Sequence, residues 1–230
     1  MKVEIFEFVE GAKKARGFAV IIDVFRAFSV ECYAFDSGAS RVIATAGIED
    51  AFALKKIYKN AVLAGERNEK RIEGFDFGNS PTEIIKSDLS GKTFIHTTSA
   101  GTQGLANATG ADHVITGSLV NSGAIARYIR HIDPERVSLV AMGYRAKQSA
   151  GEDLLCAEYI SRTLNNENPD ISDRIERLRE EDGSRFFRHE NIDFSPPTDF
   201  FLCTMINKFD FVLKAEQRPD GNIELLRIDI

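Results

Sequence analysis

The chain has 230 residues, 43% hydrophobic and 28% charged, with a formal net charge of −6. That balance predicts one globular domain with a sizeable core. The absence of a basic run argues against a nucleic-acid partner, and no apolar run reaches the roughly 20 residues that span a bilayer, so no membrane association is expected.

Lys2–Phe8 alternates charged and apolar residues and reads as a first strand, with no signal-peptide core. As a sheet edge it could support a homodimer. The three cysteines, Cys32, Cys156 and Cys203, are widely spaced and form no CxxC pair, which suits a reduced, cytoplasmic protein.

Phe18–Asp23 (FAVIID) is a continuous apolar run ending in a carboxylate, the pattern of a strand covered on both faces. A helix over about Ala27–Phe35, a short strand at Arg41–Ala44, a helix over Glu49–Lys59 and a strand at Ala61–Ala64 follow. That last strand feeds Gly65–Pro81 (GERNEKRIEGFDFGNSP), a glycine-rich loop carrying Glu66, Arg67, Asp76 and Asn79. Ser80-Pro81-Thr82-Glu83 reads as an N-cap, a first-turn proline and a capping box.

The pattern then repeats. Thr93–Thr97 is a strand, a polar turn leads into a helix, Gly110–Ile115 echoes Gly38–Ile43, a helix runs from Ser122, and Val137–Ala141 is a strand entering a second glycine-rich loop and a helix to about Leu164. The expected fold is one α/β domain, three-layer α/β/α with a largely parallel sheet. It has two similar β-α-β-α-β-α halves, at about residues 18–90 and 91–165. The charged stretch Asn165–Glu190 reads as a surface helix, Thr198 or Asp199 as the cap of another helix, and Arg-Pro-Asp-Gly-Asn between Phe211–Ala215 and Ile223–Ile228 as a hairpin. Residues 166–230 are thus expected to cap the sheet.

Open α/β sheets bind ligands at the carboxyl ends of their strands. Those ends carry Asp23, Arg26 and Ser29; Glu66, Arg67, Asp76 and Asn79; Thr97–Thr102; Ser118 and Asn121; and Arg145, Lys147, Ser149, Glu152 and Asp153. Thr97–Thr102 is a small-residue turn entering a helix, suited to a phosphate or sulfonate, and Arg26 or Arg67 could grip the same anion. Asp23, Glu66, Asp76 and Asp153, without paired His or Cys, suit Mg²⁺. Together these groups suggest phosphoryl transfer to water.

Structural readings stand beside these. Asp23 could cap its helix, Glu66 could pair with Arg67 or Lys70, Asn79 could only shape its turn, and Glu152 could complete a capping box with Ser149. Asp76, between Phe75 and Phe77, is expected to aim inward. Cys156 and Arg162 have the C-x5-R spacing of cysteine phosphatases, but the intervening residues read as helix interior.

Asp23-Val-Phe-Arg-Ala, Gly65-Glu-Arg, Gly74–Pro81 (GFDFGNSP), Thr97-Thr98 with Gly101-Thr102, Gly117–Asn121 and Glu152–Ala157 resemble the 2-phosphosulfolactate phosphatases over about Phe18–Leu164. The resemblance implies a Mg²⁺-dependent hydrolase that converts 2-phosphosulfolactate to sulfolactate and phosphate, a step toward coenzyme M in methanogens. It departs from that family's pattern at Phe28 and at Ser99-Ala100-Gly101.

By position it implies Asp23, Asp76 and Arg26 as catalytic, Arg67, Asn79, Thr98, Ser99, Thr102 and Asn121 as phosphate-binding, and Asp23, Glu66, Asp76 and Asp153 as metal ligands. The expected partner is a small anionic phosphorylated substrate. Attack by an aspartate and direct attack by water both stay open. So do a non-catalytic anion sensor and a hydrolase of another ester.

Overall fold

The apolar run from Phe18 to Ile22 is buried on both faces. Phe18, Val20 and Ile22 join one core, while Ala19 and Ile21 join another. Only a strand with helices above and below it can bury consecutive side chains in this way.

The computed structural model describes residues 1–230. In chain order the elements are β1 (Lys2–Glu7), α1 (Phe8–Lys14), β2 (Gly17–Ile22), α2 (Ala27–Asp36), β3 (Arg41–Ala44), α3 (Ile48–Ile57), β4 (Ala61–Arg67), β5 (Lys70–Arg71), α4 (Pro81–Ile84), β6 (Thr93–Thr97), α5 (Gly101–Asn107), β7 (Ala111–Gly117), α6 (Ser122–Ile132), β8 (Arg136–Ala141), α7 (Gly151–Leu164), α8 (Ser172–Glu180), α9 (Pro197–Cys203), β9 (Phe211–Gln217) and β10 (Ile223–Asp229). No helix is long and apolar enough to cross a membrane.

The strand order is β1-β8-β2-β7-β9-β10-β3-β6-β4-β5. This is the expected mixed α/β fold with a largely parallel sheet. Four strands, β1, β8, β2 and β7, form one parallel wing; β3, β6 and β4 form the other. The first strand of each sequence half lies inside the other half's wing: β2 sits between β8 and β7, and β6 between β3 and β4.

The C-terminal hairpin β9–β10 forms where the turn signal indicated. It is inserted in the middle of the sheet, antiparallel to β7 on one side and to β3 on the other.

That insertion shapes the site. Three successive antiparallel pairings reverse the strand direction from one wing to the other. In a flat sheet the two sets of carboxyl ends would then lie on opposite edges. Instead the wings turn toward one shared core, which takes residues from β2, β3, β6, β9 and β10 together with α2 and α5. The outer faces are separate, with α6 and α7 behind the first wing and α3 behind the second. The hairpin lies where the wings meet, and two-stranded ribbons carry the largest twist.

Several local expectations are corrected. Asn165–Glu190 is not one surface helix: α8 ends at Glu180, and a 3-10 turn over Asp182–Phe187 fully buries Phe186. Helix α4 starts at Pro81 as its proline signal predicts, but no capping box forms. The Ser80 hydroxyl donates to Asp199 Oδ1 at 2.8 Å, and the Glu83 carboxylate accepts the Gly78 N–H. Asp199 caps α4 from α9, taking the Thr82 N–H at 3.0 Å. Ser149 likewise makes no box with Glu152; its hydroxyl donates to Glu7.

Candidate active site

One polar cavity, with an empty volume of about 440 Å³ including its mouth, collects chain from both wings. Asp23 and Arg26 come from the end of β2, Glu66 from β4, Asn79 from the loop before α4, and Thr98 and Ser99 from the end of β6. Gly143, Tyr144 and Arg145 follow β8, and Arg185 reaches in from the C-terminal segment.

Asp23 and Glu66 are the cavity's two buried carboxylates, and Glu69 adds a third, half-buried one. Burial pushes the Asp23 carboxyl up to about 6. The N–H of Ala27 opposes that rise and the charge of Glu66 adds to it. Asp23 Oδ1 accepts the Ala27 N–H at 3.2 Å, at the entry to α2. Its other oxygen lies against α5, where a Cβ on Gly101 would sit 2.9 Å from Asp23 Oδ2 and 3.0 Å from both Ala27 and Phe28. Glycine is therefore required for the approach of α5 to this carboxylate.

Glu66 accepts the Ser99 N–H at 2.8 Å on one oxygen and the Glu69 N–H at 2.8 Å on the other. The second bond closes the β4–β5 turn, in which Asn68 and Glu69 are both left-handed (φ 56° and 68°).

These contacts correct the reading of Thr97–Thr102 as an anion cradle. The Ser99 N–H is spent on Glu66, Thr98 and Thr102 bond each other through hydroxyls and backbone, and the Gly101 N–H faces Asp23. The turn holds carboxylates. Thr102 is buried and does not line the cavity.

Positive charge comes from three arginines. Arg26 is buried, and its Nη1 donates to Asp199 Oδ2 at 2.7 Å and to the Phe194 carbonyl at 2.6 Å. Its Nη2 has no protein partner. Arg185 donates to the Phe25 carbonyl at 3.2 Å and lies 5.2–5.8 Å from the rings of Phe186, Tyr144 and Phe25. Arg145 makes no ion pair, rests over the Tyr144 ring at 5.1 Å and is held left-handed (φ 54°). Strained backbone at a rim position suits a residue whose side chain is placed for a ligand.

Besides Thr102, four expected residues are not brought into the cavity. Asp76 turns away from it: the phenylalanines anchor the loop, Phe75 packing on Phe52, but Asp76 Oδ2 accepts the Leu63 N–H at 2.8 Å and pairs with Lys55 at 2.6 Å. Its carboxylate satisfies a backbone N–H of β4, and the Lys55 contact helps hold its pKa below the ordinary value even as burial opposes. Asn121 is buried in a cap with Ser118 and reaches the Phe211 carbonyl. Arg67 folds back on the Glu66 carbonyl and Thr97 Oγ1.

Asp153 stands behind the cavity. Its two oxygens accept the Val24 and Gly143 N–H groups at 2.7 and 2.8 Å, tying the β2 and β8 loops together. Burial, with Asp23 and Glu152 nearby, pushes its carboxyl well up. Phe28 is fully buried in the shared core and does not line the cavity.

Sequence reasoning missed Glu69, Tyr144 and Arg185 as cavity residues. For Arg185 a signal was there: Phe186-Phe187 inside a charged run marks chain that returns to the core. The position of His96 beside the Thr97 turn placed it near the site, but not the buried row behind Asn79 to which it belongs. Asn79 Oδ1 lies 3.2 Å from His96 Nε2, and His96 Nδ1 lies 3.0 Å from Glu31 Oε1. All three cysteines are buried with thiol pKa values raised by burial, so Cys156 is no nucleophile.

Residues 5–217 match the family described as 2-phosphosulpholactate phosphatase. A protein of Caldanaerobacter subterraneus subsp. tengcongensis named "Probable 2-phosphosulfolactate phosphatase" is 36% identical over 86% of this chain and 87% of its own. Proteins of the same name from Clostridium perfringens and Bacillus subtilis are 34% identical over 97% of both chains and 30% identical over 89% and 88%.

Proposed function

Because the chain belongs to the 2-phosphosulpholactate phosphatase family, we infer that it hydrolyses a small, strongly anionic phosphate monoester, with 2-phosphosulfolactate as the substrate of choice. One observation carries this reading. A single cavity sets two buried carboxylates, Asp23 and Glu66, and the half-buried Glu69 against three arginines, Arg26, Arg145 and Arg185, the last of which lies 3.8 Å from Glu69. A substrate with phosphate, carboxylate and sulfonate groups needs several cations to replace its lost hydration.

The division of labour follows from the surroundings. Arg26, fixed by Asp199, presents its free Nη2 to a phosphoryl oxygen. Arg145 and Arg185 hold the other anionic groups at the rim. Asn79 adds an amide donor. Asp23 faces the phosphorus as a carboxylate; burial raises its pKa to about 6, so the site gains from a cation that holds it ionised near neutrality. Phosphoryl transfer asks a protein chiefly for positioning and charge stabilisation, and these groups supply both.

Mg²⁺ is the cation proposed for the site. No three His, Cys, Asp or Glu side chains cluster to hold a metal alone. Mg²⁺ does not require them, since it commonly takes one or two carboxylates with waters and substrate oxygens. Asp23 and Glu66 fit that role, and their mutual repulsion, which adds to the rise that burial gives the Asp23 carboxyl, is what a cation would relieve. Bound there, it would polarise the phosphate and neutralise charge in the transition state. Asp76 and Asp153 are not in the set, because neither lines the cavity that Asp23 and Glu66 share.

The test is phosphate release from a panel of esters that includes 2-phosphosulfolactate, with Mg²⁺ or EDTA, for the wild type and Asp23→Asn. Metal-dependent release that is lost in Asp23→Asn is the expected result. Release that is indifferent to both EDTA and Asp23 would remove the reading.

A further inference from the structure

Two ionisable side chains far from solvent remain unexplained by the groups that line the cavity. Glu31 on α2 and His96 on β6 are each fully buried. Burying a carboxylate and an imidazole is costly unless both are satisfied, yet Glu31 Oε2 has no partner at all. An apolar pair of similar size would stabilise the shared core better. What the pair does reach is Asn79, through His96 Nε2 at 3.2 Å from Asn79 Oδ1.

The protons can be placed. Asn79 Oδ1 only accepts, so His96 Nε2 must carry hydrogen. The ring's other nitrogen, Nδ1, faces Glu31 Oε1 at 3.0 Å, and one proton lies between them whichever atom holds it. With Oδ1 occupied, Asn79 Nδ2 is left as a donor. It has no protein partner and is not among the buried unsatisfied atoms, and Asn79 lines the cavity.

We propose that Glu31 and His96 are positioning residues: the row Glu31–His96–Asn79 fixes the Asn79 amide with its oxygen inward, so that its NH₂ group faces the substrate phosphate. The inference rests on the phosphatase reading for the identity of the group that Nδ2 meets. It also explains why the row spans both wings. Glu31 follows β2, His96 is on β6, and Asn79 follows β4, so the amide is locked to both sides of the cleft.

Three measurements test it. The first reads the proton without turnover: long-range ¹H–¹⁵N spectra of the histidine-labelled wild-type protein show which nitrogen of His96 is protonated. Hydrogen on Nε2 is expected; a bare Nε2 means that the amide is reversed, and overturns the proposal. The second is a double-mutant cycle on kcat/KM. Asn79→Ala and His96→Leu should each lose about 10²-fold, the scale for one transition-state donor, and the double variant should lose no more than either. The third is rescue: His96→Gln keeps a donor toward Oδ1 and should recover most of the loss.

Folded His96→Leu protein with wild-type kcat/KM, or losses that multiply in the double variant, would overturn it. Should the wild type release no phosphate from any ester, the phosphatase reading fails, and the ring-nitrogen spectra still decide the orientation of the amide.

Discussion

Asp199 offers the sharpest test of how the cavity is held together. It is fully buried and accepts from Arg26 Nη1 at 2.7 Å, Ser80 Oγ at 2.8 Å and the Thr82 N–H at 3.0 Å. Asp199→Ala would leave the Arg26 guanidinium without its carboxylate where little water reaches it. Breaking a buried pair by removing one partner costs about 3–5 kcal/mol. For a chain of this length that is a fall in Tm of roughly 6–20 °C.

Urea and thermal unfolding followed by circular dichroism would measure it, with kcat/KM alongside. The same change frees Arg26 and uncaps the helix after Asn79, so turnover should fall at temperatures where the variant is still folded. The double variant Arg26→Met, Asp199→Leu separates the two effects. It removes both charges together and should recover the part of the stability lost to the unpaired guanidinium, though not the part lost with the cap on Ser80 and Thr82, while staying inactive. A loss below about 1 kcal/mol in Asp199→Ala, with wild-type turnover, would refute the claim that this pair organises the cavity.

Other outcomes follow from the same contacts. Glu152 is buried, and burial raises its carboxyl from an ordinary 4.5 to about 7, with Arg185 opposing. The folded state therefore holds this proton more tightly than the unfolded chain does, and stability present below pH 4.5 is lost as pH rises through about 7. Glu152→Gln should flatten that loss by up to about 3 kcal/mol between pH 5 and 8, read by urea midpoints; an unchanged pH slope would contradict it. Gly101→Ala would drive a methyl against Asp23 Oδ2 at 2.9 Å and Phe28 at 3.0 Å, so both Tm and kcat should fall, and wild-type values for both would show that the α5 contact is unimportant. Arg145→Ala should raise KM more for esters bearing extra anionic groups than for a simple alkyl phosphate, with Tm unchanged; equal KM changes across the panel would remove Arg145 from recognition. Asp76→Asn should keep turnover and cost about 1 kcal/mol or less, from one weakened backbone bond and an exposed ion pair; abolished activity in the folded variant would return Asp76 to the site.

How much could be read beforehand depended on the range of the interaction. The α/β alternation, the two-sided strand at Phe18–Ile22 and the hairpin at Phe211–Ile228 rest on local periodicity and turn chemistry, and all three are present. Asp23, Glu66 and Asn79 were legible because each sits at or just beyond a strand end in a short, motif-like stretch. Asp76 sits in an equally motif-like stretch. Its direction, however, depends on the Leu63 N–H of β4 and on Lys55 of α3, and nothing in GFDFGNSP specifies either. Asp153 is likewise claimed by the backbone N–H groups of Val24 and Gly143, whereas Asn121 is held by a local cap, its oxygen accepting the Ser118 N–H while its amide donates to the Phe211 carbonyl.

Strand order was not legible. The exchange of β2 and β6 between wings and the hairpin's place between them are set by pairings far apart in the chain. Arg185 was hidden for a compositional reason, since the aromatic pair beside it was outweighed by the charges around it.

The most direct test of the central claim is phosphate release from 2-phosphosulfolactate and a panel of simpler phosphate esters by the purified chain, with Mg²⁺ and with EDTA. The carboxylate pair facing three arginines predicts release that requires Mg²⁺, favours the multiply charged ester and vanishes in Asp23→Asn. Absence of release from every ester, with Mg²⁺ present and the protein folded, would contradict it.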